Sequence, residues 1–239
     1  MQKATVTIGL LLLTCVSAIA AASEATVKAA LERKYPQIPV DTVTRTPLPG
    51  IYEVYANGQL IYTDEKAGYL FINGSLIDVE KKLNLTEERM SRLTAVKFEQ
   101  LPLDLAFRKV KGKGTRKLAY FGDPNCTFCK RFDQELVKID DVTIYMFLYP
   151  VLGPDSVAKA KSIWCSKDRV KAWDDHMLNG IAPTAAGTCD TPVEKIVEFG
   201  QQKKINGTPT MFFADGQRVA GTISNDQVEQ RLAAAARAK

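Results

Sequence analysis

Two thiols, Cys126 and Cys129, are the residues of this chain best suited to do chemistry; they lie one helical turn apart in Tyr120-Phe-Gly-Asp-Pro-Asn-Cys-Thr-Phe-Cys-Lys-Arg-Phe132. Lys117-Leu-Ala-Tyr-Phe121 reads as a short buried strand, and Gly122-Asp-Pro-Asn125 breaks it. Lys130 to Lys138 then carries helical spacing in Phe132, Leu136 and Val137. Cys126 therefore falls at a helix N-terminus. There the unpaired backbone N–H groups and the helix dipole favour a thiolate, lowering a thiol of reference pKa about 8.5 to roughly 3.5–7.5. The motif alone is compatible with reduction, oxidation, isomerisation or metal binding.

Compartment narrows the choice. Lys3 is the only charge before Glu24, Ile8 to Val16 is an apolar run, and Ala18-Ile-Ala20 or Ala20-Ala-Ala22 offers small-residue cleavage sites, the pattern of an export signal. The mature chain is expected to start near Ala21 or Ser23, discarding Cys15. Two other readings are weaker. Thr5, Thr7, Thr14 and Ser17 interrupt a segment barely long enough to anchor in a membrane, and Thr14 is bulky for the position before a lipidated cysteine. Export leaves Cys126, Cys129, Cys165 and Cys189, an even number in a place where disulfides persist. The 46% hydrophobic and 25% charged content is that of an ordinary globular chain. Its net charge of +5 is spread out, and the one dense basic cluster, Lys109-Val-Lys-Gly-Lys113 with Arg116-Lys117, reads as a solvated turn rather than a nucleic-acid site.

Elements that position the thiols follow from periodicity. Glu24 to Tyr35 is a helix stopped by Pro36. Ile51–Tyr55, Gln59–Tyr62, Tyr69–Ile72 and Ser75–Val79 read as four strands of an antiparallel meander, with Asn57-Gly58 and Asn73-Gly74 at turns. So small a core is marginal alone, and dimerisation is the simplest remedy. Leu85 to Phe98, with Thr86 as a candidate N-cap, is expected to be a helix joining two domains. Lys117–Phe121, the helix after Cys126 and Val142–Tyr149 form a βαβ unit. Asp155 to Asn179 and Thr191 to Lys204 are helical; Thr210–Ala214 and Arg218–Ala220 make a hairpin around Asp215-Gly216, and Gln227 to Ala236 closes the chain as a helix.

A C-x-x-C on the first βα turn, a helical insertion, and Gly207-Thr-Pro-Thr210 leading into a hairpin together make the plan of a thioredoxin fold. Thr208-Pro209 is the expected substrate-side loop opposite Cys126, where an X-Pro bond can be cis and neighbouring backbone groups can pair with an extended chain. Phe121-Gly-Asp-Pro-Asn-Cys-Thr-Phe-Cys-Lys130, Ile163-Trp-Cys-Ser-Lys-Asp168, Gly187-Thr-Cys-Asp190 and Ile205-Asn-Gly-Thr-Pro-Thr210 resemble the DsbC/DsbG family of periplasmic thiol:disulfide interchange proteins. The resemblance implies a chain of mixed α+β and α/β class. Residues 1–20 would be the signal, 21–84 a cystatin-like antiparallel dimerisation domain, 85–102 a linker helix, and 103–239 a thioredoxin-fold catalytic domain with a helical insertion. It also implies a periplasmic homodimer with an apolar cleft, kept reduced by a membrane reductase of the DsbD type. The central Thr127-Phe128 departs from the best-known members, so the redox potential does not carry over.

On this reading Cys126 attacks a wrong disulfide in a misfolded exported protein, Cys129 resolves a trapped mixed disulfide, Thr208 and Pro209 hold the substrate, and no cofactor is needed. Cys165 and Cys189 flank the helical insertion and read as a structural disulfide, with a second redox pair as the alternative. Zinc bound by the four cysteines is disfavoured by their spacing and by export. A cysteine hydrolase using His176, the only histidine, is disfavoured by the neighbouring thiol, and His176 reads as a surface residue. Chaperone binding, a DsbG-like reductase of oxidised single cysteines and, less so, a DsbA-type oxidase stay open; Phe128 cannot supply the motif histidine of such oxidases.

Overall fold

The structure is a computed structural model and describes residues 23–238; the expected export signal, with its candidate cleavage sites and Cys15, lies outside the described residues. Within them are two compact units, one of residues 23–55 and 61–72, the other of 56–60 and 73–238.

The first elements are α1 (Glu24–Lys34), β1 (Val40–Arg45), β2 (Ile51–Ala56), β3 (Gln59–Asp64) and β4 (Leu70–Phe71). Ser23 caps α1 by accepting from the Thr26 N–H, and the helix buries Val27 and Leu31. The strands form one sheet in the order β1-β2-β3-β4. Asn57 and Gly58, both at positive φ, close the β2–β3 hairpin. The predicted meander needs two corrections. β1 belongs to the sheet, although its Asp and Thr residues dilute the apolar signal and only Val43 is buried. Ser75–Val79 does not belong to it: β5 (Ile77–Asp78) pairs with β6 (Leu83–Asn84) in a separate ladder. Ile77 and Val79 are 47% and 80% exposed, so that segment has no apolar face to bury in the sheet.

The larger unit continues through α2 (Leu85–Leu93), β7 (Phe107–Lys111), β8 (Arg116–Gly122), α3 (Thr127–Val137), β9 (Val142–Leu148) and α4 (Pro154–Cys165). It ends with α5 (Arg169–Asn179), α6 (Val193–Gln202), β10 (Thr210–Phe213), β11 (Arg218–Ala220) and α7 (Asn225–Arg237). The five strands of its main sheet lie in the order β11-β10-β8-β9-β7, with β8 and β9 parallel and the other pairs antiparallel. Successive side chains of the central β8 enter opposite cores, as the two-residue strand period requires. Leu118 and Tyr120 pack with Phe132, Trp173 and Met211 on one face, while Ala119 and Phe121 pack with Phe147, Tyr149, Ile196 and Phe212 on the other.

The basic cluster read as a turn is partly strand β7. Lys111 Nζ donates to the carbonyls of Leu136 and Val137 at the end of α3, and Lys109 pairs with Asp174 at 2.6 Å. The predicted Asp155–Asn179 helix is two helices, because Asp168 starts α5 by accepting from the Lys171 N–H. α2 is shorter than the predicted Leu85–Phe98 helix, and Phe98 is buried after it. Nor is α2 a bare spacer: Glu87 pairs with Arg231 of α7 at 2.7 Å, and the Val96 N–H donates to Gly216 O.

Gly200 lets α6 meet the sheet closely. A Cβ there would lie 2.3 Å from the Tyr149 ring, whose hydroxyl donates to Ile205 O at 2.9 Å. Although alanine is the better helix former, Gly200→Ala is expected to cost about 1–3 kcal/mol of stability through overpacking and so to lower the denaturant midpoint. An unchanged or raised midpoint would show that this contact is not tight.

Candidate active site

The β8–α3 turn presents the two thiols very differently. Cys126 is the N-cap of α3, and its Sγ accepts from the Cys129 N–H at 3.3 Å. The same sulfur lies 3.3 Å from the Thr208 carbonyl oxygen, next to a Thr208–Pro209 peptide bond that is cis. The four residues Cys126, Cys129, Thr208 and Pro209 are thus gathered at one end of the sheet. Hydrogen bonding from the Cys129 thiol, from the Thr208 side chain and from the Phe128 and Cys129 amides outweighs desolvation and pulls the Cys126 thiol down to about 6. Cys129, fully buried, is driven far the other way, first by desolvation and then by its hydrogen bond to Cys126. At neutral pH one sulfur is a thiolate and the other a thiol.

Asp123 fixes the turn. Fully buried, its carboxylate accepts from the N–H groups of Asn125, Val151 and Leu152 and from the Ser156 hydroxyl, at 2.7–3.0 Å. Asn125 in turn bridges to Asp155, Ser156 and Lys159 on α4. His176 corrects the sequence reading. It is only 6% exposed, and its Nε2 lies 2.9 Å from the Pro124 carbonyl, so Nε2 carries the proton and donates. Burial holds the imidazole below its usual pKa, and it braces the turn as a neutral ring. A periodicity that mixes Trp173, His176 and Met177 on one helix face was the available signal. On the open side Phe128 is 58% exposed, with Val151 and Leu152 also exposed nearby in the chain segment that Asp123 holds.

Cys165 and Cys189 are bonded to each other, tying the end of α4 to the segment before α6 across 24 residues. Cys126 and Cys129 are the two free thiols among the described residues. With the other pair bonded, a four-thiolate metal site cannot form.

Comparison with known proteins agrees with this architecture. Residues 18–87 match the family described as disulfide bond isomerase protein N-terminal domain, and residues 103–236 match the thioredoxin-like domain. The "probable thiol:disulfide interchange protein DsbC" of Bordetella pertussis is 43% identical over 206 residues, covering 86% of this chain and 73% of that protein. The chain belongs to the DsbC family of thiol:disulfide interchange proteins. A more distant relative, the thiol:disulfide interchange protein DsbC of Escherichia coli K12, is 26% identical over 218 residues, covering 88% and 87% of the two chains. A crystal structure of a disulfide interchange protein from Neisseria gonorrhoeae, 41% identical, superposes with a TM-score of 0.54 and covers 56% of this chain and 97% of that one. Membership of the DsbC family makes the chain a thiol:disulfide interchange enzyme with a thioredoxin-like domain.

Beneath the DsbC-type dithiol lies a group that sequence reading passed over. Asp133 of α3, 4% exposed, accepts from the Tyr120 hydroxyl at 3.0 Å and from Trp173 Nε1 at 2.9 Å. Desolvation outweighs those hydrogen bonds and pushes its carboxyl up to about 7. A folded-state value above the unfolded one means stability that is present in acid, is lost as pH rises from about 4 to 7, and stays lost above. Asp133→Asn is therefore expected to be more favourable to stability at pH 8 than at pH 4, by a few kcal/mol at about 1.4 kcal/mol per pH unit of displacement. Denaturant titrations at the two pH values read this directly; an effect that is the same at both would show an Asp133 of ordinary acidity.

Proposed function

We propose that this protein is a periplasmic disulfide isomerase and reductase of exported proteins, working as a homodimer through Cys126 and Cys129. The observation that carries the reading is the opposite treatment of the two sulfurs: Cys126 held near pKa 6 at the start of α3, Cys129 buried one turn behind it and kept protonated. Cys126 attacks one sulfur of a wrong disulfide; a Cys126–substrate S–S bond forms, the substrate S–S bond breaks, and the other substrate sulfur leaves as thiolate. When that or another substrate thiolate attacks the mixed disulfide, the substrate departs with new pairing and Cys126 is regenerated. When Cys129 attacks Cys126 instead, the substrate departs reduced and the enzyme dithiol is oxidised. Cys126, being a weakly basic thiolate, is also a good leaving group, which favours turnover over trapping.

Thr208 and Pro209 would align an extended substrate segment beside Cys126, in keeping with the closeness of the Thr208 carbonyl to that sulfur. Cys165–Cys189 acts as a static brace of the helical insertion, worth roughly 3 kcal/mol in the chain-entropy model. Support for pairing of two copies comes from the match to a DsbC N-terminal domain and from the outer strand β4 and its flanks, where Phe71 of the strand and Tyr69 and Ile72 beside it are 55%, 73% and 58% exposed. Because isomerisation needs a reduced Cys126, a membrane reductase of the DsbD type would return electrons to the oxidised pair, and an oxidising periplasm would supply the substrates.

The test is reactivation of a scrambled multi-disulfide protein by the mature chain, by a Leu103–Lys239 fragment and by cysteine variants. Cys126→Ala is expected to lose at least about 100-fold in rate, Cys129→Ala to accumulate mixed disulfides, and the fragment to lose isomerase activity while keeping thiol reductase activity. Equal isomerisation by fragment and full chain would refute a role for paired N-terminal domains, and activity surviving Cys126→Ala would sink the mechanism.

A further inference from the structure

A buried histidine with one hydrogen bond and one idle nitrogen stands behind the active-site turn. His176 of α5 is 6% exposed; its Nε2 donates to the Pro124 carbonyl at 2.9 Å, and its Nδ1 is buried without a hydrogen-bond partner among the described residues. An apolar side chain would fill that space without orphaning a ring nitrogen, so the value of the imidazole lies in its one donated bond. That bond falls on a particular peptide. Asp123 to Cys126 is a β-turn, closed by the Cys126 N–H on the Asp123 carbonyl at 3.1 Å, and Pro124–Asn125 is its central peptide. The carbonyl of this peptide is taken by His176, and its N–H, on Asn125, is taken by the Asp123 carboxylate at 2.7 Å.

The turn sequence itself leaves the orientation of that central peptide undecided. Proline as second residue suits type I and type II turns alike, and asparagine as third residue tolerates the positive φ that type II demands. In the structure Asn125 is not among the residues at positive φ, so the turn is not of type II. Rotating the peptide to the type II sense would carry its carbonyl away from His176 and its N–H away from Asp123, and would redirect the chain entering Cys126. Cys126 is the N-cap of α3; its sulfur accepts from the Cys129 N–H at 3.3 Å and lies 3.3 Å from the Thr208 carbonyl oxygen. Both contacts depend on the direction in which the turn delivers that residue.

We propose that His176 is a positioning residue for thiol exchange: its Nε2–H locks the Pro124–Asn125 peptide in one of the two orientations open to the turn, and so sets the reactivity of Cys126. This role rests on Cys126 being the nucleophile of the proposed exchange. Burial is the largest influence holding the ring neutral, and Lys130 of α3 and Lys159 of α4 add to it, outweighing the backbone groups of Pro124 and Ile181. Asp155 of α4, the carboxylate that faces the ring, is paired with Lys159 at 2.6 Å. A proton gained in acid would go to Nδ1, because Nε2 already carries one; the donor to Pro124 is therefore present in both states of the ring, and the lock does not open with pH. Its effect falls on the chemistry through Cys126 alone: a peptide held in place keeps the sulfur on the Cys129 amide, which favours the thiolate as nucleophile and as leaving group.

The reduced full chain is alkylated with iodoacetamide from pH 4 to 9, where the rate follows the thiolate fraction of Cys126 and the parent midpoint is expected at about 6. In His176→Leu the midpoint should rise by about 1 pH unit, a loss of about tenfold in rate at pH 5, while the rate at pH 9 stays within about threefold of the parent. His176→Gln, whose amide N–H can reach the same carbonyl, should bring the midpoint back to within about 0.3 unit of the parent. An unmoved midpoint in a folded His176→Leu chain, or one raised as far in His176→Gln, would overturn the lock. A second measurement needs no substitution. Ring nitrogen-15 spectra of the full chain, assigned through its one histidine, should show the Nε2–H tautomer at pH 7.5, and the Nδ1–H tautomer would overturn the lock whether or not the variants fold. Alkylation that keeps its midpoint in Cys126→Ala would overturn the assignment of Cys126 itself, and the role of His176 with it.

Discussion

A helix that starts at Cys126 directs its first free amides at one sulfur and carries the next sulfur, three residues on, into the core. This asymmetry is the constraint on which the rest of the site depends. Cys126 accepts from the Cys129 amide and touches Thr208, while Cys129 is enclosed by Tyr120 and the α3–β8 packing. Two chemically identical side chains thereby acquire opposite acidities, and opposite acidities are what a nucleophile and a reserve thiol need.

Holding that geometry falls to buried polar groups rather than to the thiols. Asp123 gathers four donors from the active-site turn, the segment after β9 and the start of α4. His176 reaches across from α5 to the Pro124 carbonyl, and Thr222 donates to the Phe128 carbonyl from the far side of the sheet edge. The turn is therefore fixed from three directions. Asp133 is of a different kind: its burial costs stability at neutral pH, as strongly raised carboxyls do, and such costs concentrate where chemistry is done.

Much of this was legible from the chain. The apolar run of Lys117–Phe121, the break at Gly122–Asn125 and the spacing after Cys129 marked a strand–turn–helix with a thiol at the helix start, and β8, α3 and the β10–β11 hairpin fall where those patterns put them. What escaped was either weakly patterned or decided at long range. β1 and β7 carry so many Thr, Asp, Lys and Arg residues that alternation is hard to see, since each is an edge strand with one poorly buried face. Asp133 and His176 look like ordinary polar helix residues; only the approach of Tyr120, Trp173 and Pro124, up to 52 residues away, buries them. Asp123 resembled a turn former, and its donors at Val151, Leu152 and Ser156 become its partners only when β9 returns alongside β8.

The central claim, that the fold divides labour between two sulfurs by ionising one and not the other, is tested most directly by thiolate absorbance near 240 nm in the reduced chain from pH 4 to 10. One thiolate should titrate with a midpoint at about 6 and vanish in Cys126→Ala, with no second thiolate appearing across the range. Two thiols titrating together near 8–9, or a midpoint at 6 that survives loss of Cys126, would contradict it.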